Sequence, residues 1–222
     1  VGDFSFNSGK GRCPTCGGAG FEHIEMQFLS DVYLPCPACG GKRYKDSTLE
    51  VKIRLSDDRD YSIADVLDMT ADEATRLFFE YPSITWGIQQ LCKVGLGYLK
   101  LGQPLTTLSG GERQRVYLAM ALAQGGTTIL LDEPGAFLDV RAQFELLDLL
   151  RSVAAGGKAV VLVMPELPQT MQYADRIALL GGGRLLGCDT SAALAATGAV
   201  DRVFGVRLCR APDGVWCVKA EG

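Results

Sequence analysis

The sequence predicts an α/β fold, a parallel sheet with helices packed on it, preceded by a small cysteine-rich module. Three observations predict it. Short apolar runs at 127–131 and 158–164 (KAVVLVM) read as buried parallel strands. Helical sequence follows each run, at 140–155 and 167–174, and strands that alternate with helices form parallel sheets. Residues 1–54 differ from the rest, being rich in Gly, Pro and Cys, with four cysteines in two close pairs.

Taken in order, the first segment carries strand-like stretches at 21–29 and 49–55. Residues 62–102 read as helical. Ser62 can cap a helix through 64–67, and Thr70 with Glu73 three residues on forms a capping box for the next. Pro82 marks a break, and 85–98 offers a third helix. From Leu108 the α/β pattern begins, with a long helix over 110–123 that opens on glycines. Further on, 176–180 and 184–188 flank Gly181-Gly182-Gly183 and read as a hairpin. The last ~30 residues read as a small appended element with β-rich stretches at 203–208 and 215–219.

The 222 residues can hold one large domain, or a domain plus a small module. With 47% hydrophobic and 22% charged residues the chain can bury a sizeable core. The net charge of -4 excludes a strongly basic nucleic-acid binder overall while leaving room for a local basic face. No apolar run approaches the ~20 residues of a membrane-spanning helix. Val1-Gly2-Asp3 opens into polar, Gly-rich sequence rather than a secretory signal, and the missing initiator Met implies a start inside a longer protein. The expected location is a reducing cytoplasm, where close cysteine pairs point to metal more than to disulfides.

Cys13, Cys16, Cys36 and Cys39 follow the pattern C-x2-C-x19-C-x2-C, in knuckles CPTCGG and CPACGG. Four converging thiolates complete a tetrahedral Zn2+ shell with no open position, so the expected site is structural; redox thiols or packing cysteines are the alternative. His23, between the knuckles, reads as a surface or packing residue. Within residues 1–54 seven Lys and Arg face six Asp and Glu, a difference of only +1. The local cluster Lys42-Arg43-Tyr44-Lys45 is either a phosphate contact for DNA or a solvated turn.

LSGGERQR (108–115) places Ser109, Gly110, Gly111 and Glu112 at the start of a helix, where N–H groups and the helix dipole favour an anion. The stretch resembles the signature of ATP-binding cassette proteins; an ordinary capped helix is the alternative. ILLDEP (129–134) follows at the spacing that family implies. There Asp132 can hold Mg2+ through water and Glu133 is placed to polarise the attacking water, the usual division of labour in phosphoryl transfer; helix-capping carboxylates are the alternative. Leu138-Asp139 resembles the loop through which paired cassettes sense each other. The fold class implied is an ABC-type (P-loop NTPase) cassette fragment with an added zinc module. Two expected parts are absent from these 222 residues. No G-x-x-x-x-G-K-S/T phosphate loop occurs, and SGKG at 8–11 is no substitute. Pro165 stands where the family usually carries a histidine toward the γ-phosphate, and proline has no N–H to donate.

Residues 1 to about 123 closely resemble the C-terminal half of the UvrA family, the damage-recognition ATPases of bacterial nucleotide excision repair. FSFN, the cysteine module, LEVKI, VLDMT, VGLGYLKLGQPLTTLSGGE and QRVYLA carry the likeness. It implies two cassettes per protomer, a homodimer, damaged double-stranded DNA as ligand and an excision-repair partner protein. It also implies a phosphate loop upstream of the zinc module, before Val1. From about Gly125, DEPGAFLDVRAQFELLDLL, YADRIALLGGGRLL and AALAATGAVDRVFGVRL look like an importer ATPase subunit of the iron-siderophore or vitamin B12 type.

These readings divide the chain into a four-cysteine zinc module (1–54), a helical signature-domain segment (55–107), a cassette core (108–190) and a tail (191–222). The expected function is ATP binding and hydrolysis coupled to DNA binding in damage recognition, with Zn2+, ATP and Mg2+ as cofactors. The chain on its own is expected to turn over negligible ATP. Two other readings stay open: an importer ATPase bound to an integral-membrane permease, or a non-catalytic zinc-braced fragment for DNA binding or dimerisation.

Overall fold

The computed structural model describes residues 2–5, 7, 9–24, 32–136 and 138–220. The chain forms two compact units, residues 1–124 and 125–222.

The first unit opens with β1 (Phe21–Ile24) paired antiparallel to β2 (Val32–Pro35), Phe21 opposite Pro35. The rest of the predicted 21–29 strand lies outside the described residues, as do Phe6 of FSFN, Ser8 of SGKG and Phe137 of DEPGAFLD. A short helix α1 (Asp46–Leu49) follows, then β3 (Ile53–Arg54) antiparallel to β4 (Asp60–Tyr61). The predicted strand over 49–55 is therefore mostly not one. Leu49 closes α1, and only Ile53 and Arg54 find partners across the turn.

Helix α2 (Ile63–Asp68) begins at Ser62, whose hydroxyl accepts from the Asp65 N–H while the Asp65 carboxylate accepts from the Ser62 N–H. Thr70 and Glu73 build the same reciprocal cap on α3 (Ala71–Leu77). Pro82 does more than interrupt. It occupies the first turn of α4 (Pro82–Lys93), where its missing N–H is not needed. The helix ends at Lys93 rather than reaching 98, because Gly95 turns the backbone to φ +77°. Helix α5 (Gly110–Ala123) packs on α4. Leu55, Met69, Ala74 and Phe78 form a core that Tyr61, Val66, Leu77, Ile88 and Leu101 surround. Burial of a side chain such as Phe78 contributes about 1.5–3 kcal/mol.

In the second unit β5 (Thr128–Asp132) runs parallel to β6 (Ala159–Val163), joined through α6 (Val140–Ala155). The predicted parallel sheet is thus present as one βαβ pair among the described residues. Its two faces differ. Ile129 is buried, while Leu130, Val161 and Val163 on the other face are 76%, 48% and 56% exposed. Helix α7 (Leu167–Tyr173) precedes the hairpin β7 (Ile177–Gly181) and β8 (Arg184–Asp189), turned by Gly182 and Gly183 at φ +55° and +73°. Helices α8 (Ser191–Ala196) and α9 (Ala199–Phe204) lead into β9 (Val206–Arg210), antiparallel to β10 (Trp216–Ala220). Val203 and Phe204, predicted as strand, end α9 instead. Gly205, at φ +62°, separates them from β9. Leu179, Leu194 and Val200 form this unit's own core, with Leu208 packed against it. No described helix is long and apolar enough to cross a membrane.

Candidate functional site

The cysteine module is assembled by its glycines. Gly17 and Gly18 after the first knuckle, and Gly40 and Gly41 after the second, all have positive φ, between 54° and 94°. That left-handed backbone is open to glycine at no steric cost. It lets the Ala19 N–H donate to the Cys16 carbonyl at 3.0 Å and the Gly40 N–H to the Cys36 carbonyl at 2.8 Å. The Cys36 N–H in turn donates to Gly20, tying the knuckles together.

The four Sγ atoms lie within 4.8 Å of one another, Cys13 and Cys36 buried, Cys16 and Cys39 half-buried. Sγ of Cys16 and Cys39 are 3.7 Å apart. A tetrahedron of sulfurs each ~2.3 Å from Zn2+ has edges of about 3.8 Å. The donor set therefore fits the ion in chemistry and in scale. The Cys16 backbone N–H helps hold the Cys13 thiol down to about 7, toward the thiolate that a metal needs; burial pushes Cys39 up to about 12. His23 does what the sequence suggested, stacking on Tyr33 at 4.8 Å between ring centroids.

The basic cluster beside the knuckles is divided by the fold. Lys42 and Lys45 are exposed. The Arg43 guanidinium donates to the Gly102 carbonyl. Tyr44 is buried and its hydroxyl donates to the Phe4 carbonyl at 2.7 Å.

Ser109 sits at the N-cap of α5. Its hydroxyl accepts from the Glu112 N–H at 3.3 Å, and the Glu112 carboxylate accepts from the Ser109 N–H at 2.8 Å. Tyr98 donates to the other carboxylate oxygen at 2.6 Å. That bond, then the two from Ser109, holds the Glu112 carboxyl below its usual range. Glu112 is thus engaged within the turn. The first-turn positions Gly110 and Gly111 carry no side chain that could block approach to the helix end.

Asp132 ends β5, opposite Val163. At Glu133 the backbone swings to φ +43°, a left-handed conformation that disfavours a side chain. Two bonds fix it there: the Glu133 N–H donates to Val163 at 2.9 Å, and its carbonyl accepts from Ala136 at 3.0 Å. Glu133 lines a cavity of about 100 Å³ with Gly135, Gln143, Pro165, Glu166 and Gln169 among its walls. The fold therefore brings Glu133 and Pro165 to one cavity. Asp139 caps α6, its carboxylate accepting from the Ala142 N–H at 2.9 Å.

Sequence reasoning missed Gln143 and Gln169. The Gln169 amide donates to the Gln143 side-chain oxygen at 3.1 Å, and Gln143 donates to the Gly135 and Leu138 carbonyls at 3.3 Å. This bridge ties the loop after Glu133 to α6 and α7. The available signal was Gln143 four residues after the capping Asp139, facing the loop that the cap closes.

A family model described as ABC transporter matches residues 56–136. UvrABC system protein A of Clostridium perfringens is 44% identical over 209 residues, covering 93% of this chain and 21% of that protein. The Thermus thermophilus protein of the same name is 44% identical over 216 residues, covering 93% and 22%. The crystal structure of UvrA2 from Deinococcus radiodurans has TM-score 0.69 and 40% identity, over 87% of this chain and 24% of that one. The chain belongs to the UvrA family. It spans about a fifth of the length of the UvrA relatives it matches. UvrA likeness does not stop near residue 125, where the sequence suggested a change, since matches over 93% of the chain run through the second unit. A metal-chelate type ABC transporter in an inward-facing conformation has TM-score 0.50 and 22% identity over 61% of this chain and 57% of that one, a likeness of fold alone.

Proposed function

We propose that this chain is the signature-bearing part of a UvrA-type ATPase that recognises DNA damage for nucleotide excision repair, with ATP binding and hydrolysis coupled to its grip on DNA. The observation that carries the reading is the 44% identity to UvrABC system protein A across 93% of the chain. The capped helix at Ser109 and the four-cysteine cluster support it.

In this reading residues 1–54 are the zinc module, 55–107 the helical signature segment, 108–190 the cassette core and 191–222 a tail. Cys13, Cys16, Cys36 and Cys39 hold Zn2+ as a structural brace. Ser109, Gly110 and Gly111 present N–H groups to the γ-phosphate of a nucleotide held by a second cassette, and Glu112 keeps that turn wound. Asp132 holds Mg2+ through water, which when bound offsets charge on the phosphates. Glu133 orients and polarises the attacking water. Pro165 offers no hydrogen bond to the phosphate, so hydrolysis at this half-site is slow. Asp139, at the head of α6, reports the partner cassette's state. The partners are a second copy, damaged duplex and an excision-repair protein, in the cytoplasm.

Lys42 and Lys45 are the DNA contacts of this reading, with Arg43 between them holding the turn as well as adding charge. The test is a titration of the zinc-loaded chain into labelled duplex, with and without a bulky lesion, across a salt series. Binding is expected to need zinc and to favour the lesion. Lys42→Glu with Lys45→Glu should flatten the slope of log affinity against log salt by about 2. An unchanged slope rejects the DNA contact. Equal affinity for intact and damaged duplex rejects damage recognition by this segment and favours a zinc-braced fragment.

A further inference from the structure

The tail carries a pair of cysteines that the reading above does not use. Cys209 on β9 and Cys217 on β10 are register partners in the antiparallel ribbon. Both are free thiols, half-buried, with Sγ atoms 2.6 Å apart. That is well inside non-bonded contact, about 3.5–4.0 Å even between carbons. Each thiol also points at the other's carbonyl, at 3.4 Å. Directly opposed residues of an antiparallel pair have Cα atoms about 4.5–5.5 Å apart, inside the ~4.4–6.8 Å that a disulfide spans, so bond formation needs no backbone movement.

The surroundings favour reaction over burial. Strand alternation sends Leu208 to the core of Leu179, Leu194 and Val200, and turns the two cysteines to the opposite face. Two residues along that face Arg207 and Lys219 are also register partners, and both are exposed. The neighbouring Cys209 thiol, then burial, push the Cys217 thiol up, and the positive charge of Lys219 offsets part of that rise.

We infer that Cys209 and Cys217 are a redox modification site, a dithiol that a small-molecule disulfide of the glutathione class converts to an intrachain cross-strand disulfide. One protein thiolate attacks the small disulfide, forming a mixed disulfide and releasing one small thiolate. The second protein thiol gives its proton to solvent and attacks the protein-bound sulfur, closing the Cys209–Cys217 bond and releasing the second small thiolate. Two protein thiols lose two electrons, and one small disulfide gains them. The product staples β9 to β10, the strand that packs against α7.

The experiment exposes the zinc-loaded chain to oxidised glutathione, quenches with an alkylating agent, and maps every cysteine by mass spectrometry. Cys188, exposed on β8, is the internal control. A peptide joining residues 209 and 217 is expected to appear about tenfold or more ahead of glutathione on Cys188, since the second attack is intramolecular. In Cys217→Ser the glutathione should instead remain on Cys209. Labelling of Cys209 and Cys217 at the rate of Cys188, or a disulfide joining either to another cysteine, overturns the inference. The wild-type map decides this even if the variant fails to fold.

Discussion

Glu133 is the residue at which local preference and proposed chemistry conflict. A side chain at φ +43° is disfavoured by roughly 1–2 kcal/mol, and such strain persists only where neighbours fix it. Here the bonds to Val163 and Ala136 fix it. Glu133→Gln keeps both the strain and the shape, whereas Glu133→Gly removes the strain and adds disorder to the unfolded chain. The glycine variant is therefore expected to unfold at equal or higher denaturant than the glutamine variant, by up to about 1 kcal/mol. A glycine variant clearly less stable than the glutamine one would mean the side chain is held by contacts rather than strained. Glu133 and Asp132 could be singled out from the sequence because their motif is local. The strain was not, because it comes from pairing with Val163, a residue distant in sequence. The Gln143–Gln169 pairing was hidden for the same reason: beyond the place of Gln143 four residues after Asp139, an amide pair between two helices leaves no periodic trace.

At the scale of elements, the helices whose ends carry their own caps were the legible ones. The bounds of α5 and α6 agree with the sequence reading because Ser109 and Asp139 each close a first turn with their own side chains. The strands went astray where pairing set their length, as at 49–55, or where one glycine changed the conformation, as at Gly205. The capping boxes at Ser62 and Ser109 make the first unit acid-sensitive. The carboxyls of Asp65 and Glu112 are held below their usual range, by Ser62 and by Tyr98 respectively. Their stabilisation is thus fully present above the unfolded value of about 4 and is lost as pH falls through the lower folded value. At pH 7 Glu112→Ala is expected to cost on the order of 1 kcal/mol, a modest figure because the pair is largely exposed. Melts of wild type and variant should converge on acidification below pH ~4. A gap that persists there would assign the loss to packing instead.

At the scale of the whole molecule, each unit has its own core, and among the described residues only the first holds a four-cysteine cluster. Structural zinc in small modules supplies about 10–16 kcal/mol of apparent folding free energy. Chelation is therefore expected to abolish amide-exchange protection across residues 13–44 while leaving that of β7 and β8 unchanged. Protection that survives chelation in residues 13–44 would mean the knuckles fold on hydrogen bonds alone. The exposed side of β5 and β6 has a different, practical consequence. Parallel strands are ordinarily covered on both faces. Here Leu130, Val161 and Val163 lie exposed on one face of the pair, an apolar patch through which copies of this chain are expected to adhere as its concentration rises.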